Sequence, residues 1–411
     1  MRVVRILCAV AAICLLPNGQ AAWAQATRAE EAQAEREAKL KAKQPYKRSK
    51  IEAALFKIED NLLLERFLGP PRGFHLRLGG LGEGTGLGAG PGYRYIGDAF
   101  EIRTSAAGSV KKYFLAEGAV RFPGTRQDSL FSVRDGAFVE IYGRRRDFPQ
   151  EDFFGLGPDS SKDDRSDYAV RDTFARVTGG YRIGRKVAFG VNVGYLDPET
   201  GAGTDPLFPD STDLFATGTV PGLGEPLPTF ALFEPYVEIT TVDRPYNEMS
   251  GGRYRFTFSR YNDRDFDRFS FGRWEADLRQ YIGFFEGSRT IALRAFAASA
   301  SADDGNEVPF FLQPTLGGAQ TLRGFRSFRF RDESALLLQA EYRWRINELI
   351  AGALFYDTGA VARRLGDIGT LERDYGIGMR VGGRNGVSFR ADLAFGSSDG
   401  TRLLLRFDDV F

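Results

Sequence analysis

The sequence predicts an all-β fold, a transmembrane antiparallel β-barrel of about 16 strands preceded by a short periplasmic helix. Three observations predict it: an N-terminal export signal, a composition rich in glycine and aromatic residues, and an alternation of apolar and polar side chains from residue 73 onward. The 411 residues include 49 glycines, 35 phenylalanines and 16 tyrosines, yet 27% are charged. Barrels combine these features because aromatic belts lie outside and charged residues line the interior.

Residues 1–24 have the pattern of a cleaved signal peptide. Arg2 and Arg5 precede an apolar run over residues 6–16, and Ala22-Trp23-Ala24 is a small-x-small cleavage site. The apolar run is shorter than the roughly 20 residues that a membrane-spanning helix needs. We therefore expect an exported protein whose mature chain begins at Gln25.

Residues 25–72 predict a charged helical segment in the periplasm. The apolar residues Ile51, Leu55, Ile58 and Leu62 recur at helical spacing, and Gly69-Pro70-Pro71 ends the pattern. We interpret the segment as a linker helix that rests on the mouth of the barrel. A plug or a partner-docking helix is the alternative.

Residues 73–411 are predicted to form the barrel. Sixteen period-two runs lie at 73–80, 86–95, 99–107, 111–122, 137–146, 167–183, 186–196, 230–243, 251–261, 267–281, 289–300, 334–346, 349–362, 373–382, 386–396 and 400–408. Single-chain bacterial barrels have an even number of strands. The gaps 149–167 and 197–229 are predicted to be extracellular loops, and the turns at 184–185 and 383–386 periplasmic.

Alternation alone does not separate a soluble sandwich from a membrane barrel, because only the direction of the polar face differs. Trp274, Ala276 and Leu278, for example, alternate with charged residues. The signal peptide, the chain end and a loop motif favour the barrel. Glycines at every second position from Gly82 to Gly92 are predicted to leave one face of the first strands bare and to weaken those strands.

The residues that catalysis would need are scarce. Both cysteines, Cys8 and Cys14, lie in the signal peptide, and His75 is the one histidine. This excludes thiolate metal sites and multi-histidine zinc sites, and leaves a Ser-His-Asp triad only if His75 serves. We predict no enzyme, metal or cofactor. A net charge of +1 gives no support to nucleic-acid binding.

The motif Leu322-Arg323-Gly324-Phe325 lies in a long segment between two strand-like runs, from about Glu307 to Asp332. Arginine brings a five-donor cation, glycine a flexible backbone and phenylalanine an apolar anchor, which predicts a loop that docks. Downstream, Phe355, Asp357 and Gly359 share one strand face, so Asp357 is the predicted partner of Arg323. Glu341 is a second candidate acceptor.

At these residues the chain resembles the outer-membrane protein eighty-five superfamily, the BamA and TamA relatives also called bacterial surface antigens. The resemblance implies a sixteen-stranded barrel in which the arginine of an Arg-Gly-Phe loop meets the aspartate of a Phe-x-Asp-x-Gly strand. It also implies location in the outer membrane of a Gram-negative cell. The roughly 45 residues between signal and barrel are too few for a periplasmic polypeptide-transport-associated domain, so a member without such domains is expected.

The end of the chain resembles the C-terminal signal that outer-membrane barrels present to the barrel assembly machinery. Leu403, Leu405, Phe407 and Phe411 carry this resemblance, although Asp409 departs from it. The expected partners are therefore the outer-membrane lipid bilayer, that machinery during insertion, and client polypeptides, with no nucleic acid.

Two functions remain open at this point. In the first, the protein assists insertion or translocation of polypeptides, because weak first and last strands separate and offer an edge to an incoming strand. In the second, it is a passive or gated pore for small solutes or lipids, with the Arg323 loop as a constriction.

Overall fold

The computed structural model describes residues 73–124, 135–216, 218–243, 248–285, 287–347, 350–383 and 386–406. The predicted signal peptide and charged helix, residues 1–72, lie outside these residues. Across the described ranges, no helix has the length and apolar character needed to cross a membrane.

Sixteen strands form one antiparallel sheet whose order follows the chain, which confirms the predicted fold class and strand number. They are Gly73–Gly79 (β1), Gly88–Ile96 (β2), Glu101–Ser109 (β3), Phe114–Phe122 (β4), Gly136–Phe153 (β5), Ser166–Ile183 (β6), Val187–Ala202 (β7), Phe230–Thr240 (β8), Gly251–Asp263 (β9), Phe271–Phe284 (β10), Arg289–Ala302 (β11), Ser334–Arg345 (β14), Ile350–Ala362 (β15), Glu372–Gly383 (β16), Gly386–Phe395 (β17) and Arg402–Arg406 (β18). The sheet curves into a nearly closed barrel.

Small elements lie in the connections. Thr315–Leu316 (β12) and Phe330–Arg331 (β13) pair with each other in the segment between β11 and β14. A helix covers Ser211–Leu214 (α1), and 3-10 helices cover Phe310–Leu312 and Leu365–Asp367. Because the strands are antiparallel, successive connections lie at opposite ends of the barrel. The turn end holds the short β6–β7, β10–β11 and β14–β15 turns, and the loop end holds the long β7–β8 connection and the β11–β14 segment.

The predicted loops at 149–167 and 197–229 are shorter than expected, because β5, β6 and β7 extend into them. Their lengths are 18, 18 and 16 residues. Pro198 pairs with Asp172, and Ala202 pairs with Tyr168. Cross-strand pairing on a neighbouring long strand thus outweighs the turn preference of proline and glycine.

The alternation of side chains has the polarity of a membrane barrel. On β10 the Trp274 side chain is exposed on the outer face, whereas Asp277 accepts hydrogen bonds from Arg279 and Arg294 inside. Large apolar side chains are exposed on the outer face of strands around the sheet, including Phe74, Leu76, Val139, Ile141, Val177, Val193, Phe256, Leu354 and Ile377. An outer apolar surface of this kind fits a lipid environment.

The glycine alternation continues through a turn as well as a strand, so its assignment to strands alone is wrong. Gly84 and Gly86 lie in the β1–β2 connection with φ angles of 74° and 72°, which other residues rarely adopt. Gly90 and Gly92 lie on β2. A Cβ on Gly90 would collide with the Ala106 carbonyl of β3, and a Cβ on Gly92 would collide with the His75 ring. The bare face is therefore filled by neighbours inside the same barrel.

Candidate functional site

Residues 303–333, here called the lumenal loop, leave the loop end of the barrel and fold back against the inner face of β14 and β15. Leu316, Leu322, Phe325 and Phe330 of this loop form an apolar cluster with Ala335, Leu337 and Val361 of the barrel wall. Leu322 and Phe325 are fully buried. Burial of these two side chains anchors the loop tip where the sequence predicted an apolar contact.

Arg323 is held between two strands of the wall. Its Nε and Nη2 atoms donate to the two carboxylate oxygens of Asp357 at 2.6 and 2.7 Å. Its Nη1 atom donates to Glu341 Oε2 at 2.6 Å. All three side chains are fully buried. The fork of the guanidinium matches both acceptors, which is the arrangement that favours arginine over lysine.

Phe355 and Gly359, the other two residues of the Phe-x-Asp-x-Gly pattern on β15, also contact Arg323 or the lumenal loop. The Arg323 guanidinium lies over the Phe355 ring at 3.5 Å from the ring centroid. At Gly359, an added Cβ would lie 3.1 Å from Leu316 of the lumenal loop and 2.5 Å from the Leu336 carbonyl oxygen. Phe355 therefore provides a cation–π surface, and Gly359 provides space for the loop.

Gly324 serves the site through its small size. Its φ angle lies outside the left-handed region, so the backbone flexibility expected of glycine is not what this position uses. A Cβ at this position would lie 2.5 Å from the Cβ of Asp374 on β16. Ser397 also donates a hydrogen bond to the Gly324 carbonyl oxygen at 2.5 Å. Glycine is required here because wall and loop backbone approach closely.

The ion-pair network continues beyond the residues that the sequence singled out. Glu341 accepts hydrogen bonds from Arg343 and Arg380 at 2.9 Å each. Arg380 also pairs with Asp392 of β17. These residues occupy lumenal positions of β14, β16 and β17, so period-two alternation was the signal that could have identified them.

Three side chains of the barrel wall donate hydrogen bonds to consecutive carbonyl groups of the lumenal loop. Arg390 donates to the Ala319 oxygen at 3.0 Å, Arg294 to the Gln320 oxygen at 3.0 Å, and Gln339 to the Thr321 oxygen at 2.7 Å. Each bond satisfies a backbone group inside the barrel, where an unpaired carbonyl would be costly. The loop is thus fixed immediately before Arg323.

Burial and the neighbouring acids shift the pKa of Arg323 in opposite directions. Burial lowers the pKa of a guanidinium, but the Asp357 and Glu341 carboxylates outweigh it and raise the pKa of Arg323 above its ordinary value. The side chain therefore remains a cation, and docking depends on these carboxylates.

The first and last strands form the edges of the sheet. All strands that are neighbours in the sheet order are hydrogen-bonded to each other. In contrast, no pairing joins the first strand, β1, to the last, β18, within residues 73–124 and 386–406. β1 has seven residues, and β18 has five. Leu403 and Leu405 of β18 are exposed on the outer face, and Phe407 and Phe411 lie outside the described residues.

The hairpins at both edges hold the lumenal loop. Glu83, in the β1–β2 connection, accepts hydrogen bonds from the Ala319 amide at 3.0 Å and the Ser327 hydroxyl at 3.1 Å. Glu83 Oε2 also lies 3.8 Å from Arg406 Nη1 of β18. On the other edge, Asp399 of the β17–β18 connection accepts the Arg326 amide at 2.8 Å. No local pattern in the sequence indicates these contacts, which join residues more than 70 positions apart.

Metal chemistry has no candidate site in this part of the chain. Across the residues that the structure describes, no group of three or more His, Cys, Asp or Glu side chains could hold a metal ion. Asp357 and Glu341, the two acids that contact Arg323, are instead paired with arginines.

Comparison with known proteins gives one family and a set of similar folds. The profile of the Omp85 superfamily domain matches residues 117–400, which is more than half of the chain. The fold is similar to BamA from Haemophilus ducreyi lacking POTRA domains 1–3, with a TM-score of 0.58, 12% identity, and coverage of 82% of this chain and 69% of that one. It is also similar to CdiB from Escherichia coli, with a TM-score of 0.51, 12% identity, and coverage of 80% and 60%. No curated protein sequence matches the chain.

Proposed function

The chain belongs to the Omp85 superfamily of outer-membrane barrels, and on that premise we propose that it assists the insertion or translocation of polypeptides at the outer membrane. The proposed site is the edge between β1 and β18, with the lumenal loop folded behind it. Client polypeptides and the lipid bilayer are the partners in this proposal. The barrel assembly machinery is the proposed partner for insertion of the protein itself.

The observation that carries the proposal is the pair of short edge strands. Among the described residues, β1 and β18 have no strand partner on one side, so their outward N–H and C=O groups can bond to an added strand. β-augmentation of this kind supplies main-chain hydrogen bonds to a client without requiring a particular client sequence. A client strand could pair with the edge before it closes into its own barrel.

The lumenal loop gives this edge a support from inside. Glu83 and Asp399 bind the loop from the β1–β2 and β17–β18 connections, and Arg323 fixes the same loop to β14 and β15. Separation of the edge strands would move at least one of these hairpins relative to the loop. We therefore propose that a docked loop favours the closed edge.

The test is the rate at which an outer-membrane protein folds into liposomes with and without this barrel. A cross-linked variant, Glu83→Cys/Arg406→Cys joined by a short thiol-reactive linker, restrains the edge. The expected result is acceleration by the wild type and by the double variant before cross-linking, and loss of that acceleration once the linker is added. Since the mature sequence is predicted to lack cysteine, the linker has only these two targets.

A matched control places the same linker between strands that are already paired. Arg171 Nη1 of β6 and Glu199 Oε1 of β7 are 3.8 Å apart, the same separation as the Glu83 and Arg406 atoms. Arg171→Cys/Glu199→Cys should keep the acceleration after cross-linking. No acceleration by a folded wild-type barrel, or equal loss in both cross-linked variants, would contradict the proposal.

A pore for small solutes or lipids is the second candidate function. The observation that favours it is a lumenal cavity of about 720 Å³ lined by polar and charged side chains of β1–β6. In this case the lumenal loop is the constriction. Ion conductance that increases in Asp357→Ala, which releases the loop, together with no effect on client folding, would favour the pore over the insertion factor.

A further inference from the structure

The lumenal wall opposite the docked loop is rich in arginine. The cavity of about 720 Å³ and a second one of about 190 Å³ share Glu140 and Arg176 in their walls, so they adjoin. Eight arginines line the two cavities against three glutamates; the arginines are Arg77, Arg94, Arg103, Arg121, Arg144, Arg176, Arg182 and Arg255, and the glutamates are Glu117, Glu140 and Glu238. This part of the lumen therefore carries an excess of positive charge.

Ion pairing with the wall neutralises only part of this excess. Four arginines pair with a carboxylate other than Glu140: Arg77 with Glu117 at 2.5 Å, Arg94 with Glu101 at 2.9 Å, Arg144 with Asp172 at 2.9 Å and Arg255 with Glu238 at 3.3 Å. Two of these carboxylates are shared, because Asp172 also pairs with Arg146 and Glu101 lies 3.8 Å from Arg103. Arg103 and Arg176 share Glu140, at 2.7 and 3.7 Å. The remaining positive charge is thus concentrated near Arg176, Arg121 and Arg182.

Arg121 and Arg182 have no hydrogen-bonded or ion-paired carboxylate among the residues that the structure describes. Both line the smaller cavity, and the Arg121 guanidinium lies over the Phe138 ring at 4.3 Å from the centroid. Arg182 precedes Gly184 of the β6–β7 turn by two residues, so the cavity lies at the turn end of the barrel. Cations that face each other in a confined, partly desolvated space repel, and a bound anion would offset that cost.

We propose that this space binds a phosphate-bearing anion, with the Arg121 and Arg182 guanidinium groups as its main ligands. Arginine forks match the geometry of phosphate oxygens and donate to two of them at once. The smaller cavity holds the phosphate, and the adjoining larger cavity has room for the rest of the molecule. The proposal does not depend on polypeptide insertion, because its two main ligands, Arg121 and Arg182, lie on β4 and β6 and not on the edge strands β1 and β18.

The test is titration of the barrel in zwitterionic detergent with inorganic pyrophosphate, followed by calorimetry. We expect saturable binding that weakens as sodium chloride is raised, because salt screens exposed charges. Arg121→Gln/Arg182→Gln should weaken binding by about tenfold or more, since two charge-assisted contacts are lost. The single variant Arg182→Gln should weaken it less and serves if the double variant does not fold.

Arg171→Gln is the matched control. Arg171 lies on the same strand as Arg182, but its side chain is exposed and pairs with Asp147. Binding should be unchanged in this variant. Competition by short-chain phosphatidic acid would assign the site to a lipid headgroup, and its failure to compete would assign the site to a soluble phosphate compound. No saturable binding by the folded wild type, or binding that survives removal of both arginines, would overturn the proposal.

Discussion

Arg323 and Asp357 form a two-bond ion pair inside the barrel, with donor–acceptor distances of 2.6 and 2.7 Å and no exposed side-chain surface on either residue. Asp357 also accepts a hydrogen bond from Gln339 at 3.1 Å. Because the pair is buried, its effect on stability differs from that of an ion pair in open water.

Asp357→Ala should destabilise the docked loop by roughly 3–5 kcal/mol, because it leaves the buried Arg323 cation with Glu341 as its main acceptor. Urea unfolding in detergent micelles measures the loss, and limited proteolysis of the lumenal loop measures undocking. The control is Asp303→Ala, which breaks an exposed pair with Arg260 and should cost about 0–1 kcal/mol. Equal protease sensitivity of wild type and Asp357→Ala would contradict a docking role.

Gly324→Ala should also undock the loop, although it changes no charge. The added methyl group would lie 2.5 Å from Asp374 Cβ and 3.1 Å from Ser397 Cβ, so wall and loop must move apart. Overpacking of this kind costs about 1–3 kcal/mol. Gly369→Ala is the control because open space surrounds that position. Similar urea midpoints for the two variants would show that the close approach at Gly324 is not maintained in solution.

Features that depend on residues close together in the sequence could be predicted, whereas contacts between residues far apart in the sequence could not. Alternation within a strand is local, and it located all sixteen strands of the sheet to within a few residues at most ends. The same alternation placed Asp357 and Glu341 on the inner face of neighbouring strands, where both meet Arg323. Pairing between neighbouring lumenal faces is therefore accessible to sequence reasoning.

Contacts that depend on barrel curvature and loop position cannot be predicted from local sequence patterns. Glu83 meets Ala319 only because the first hairpin and the lumenal loop enter the same space. Gly84 and Gly86 continue the strand period by coincidence of spacing, yet they form a turn with positive φ angles. Neither the close approach at Gly324 nor the grip of Arg390 on the Ala319 carbonyl has a local pattern.

Asp374→Asn should stabilise the barrel. Asp374 lies opposite Asp357 in the β15–β16 register, and both side chains are fully buried. Arg323 contacts Asp357, whereas the Asp374 oxygens have no hydrogen-bond partner within the described residues. Two buried carboxylates this close repel when both are ionised, and avoiding the repulsion requires a proton on one of them, which costs folding free energy at neutral pH. We expect a higher urea midpoint in Asp374→Asn and no change in Asp367→Asn, which removes an exposed charge; a lower midpoint in Asp374→Asn would contradict the repulsion.

Glu83→Ala should release the edge side of the lumenal loop while leaving the Arg323 side docked. The Ala319 amide and the Ser327 hydroxyl would lose their shared acceptor, and Arg406 would lose a carboxylate at 3.8 Å. Hydrogen bonds to charged groups contribute about 1.5–3 kcal/mol each. Thiol labelling of Ala319→Cys, a buried position, should therefore be about tenfold faster or more in the Glu83→Ala background.

Glu199→Ala, which removes an exposed glutamate on β7, is the control and should leave the labelling rate unchanged. The two variants then distinguish the two attachments of the lumenal loop. Asp357→Ala should expose both the Arg323 side and the edge side, whereas Glu83→Ala should expose only the edge side. Equal labelling rates in Glu83→Ala and wild type would mean that the edge hairpin does not hold the loop. In that case opening of the β1–β18 edge would proceed without movement of Arg323.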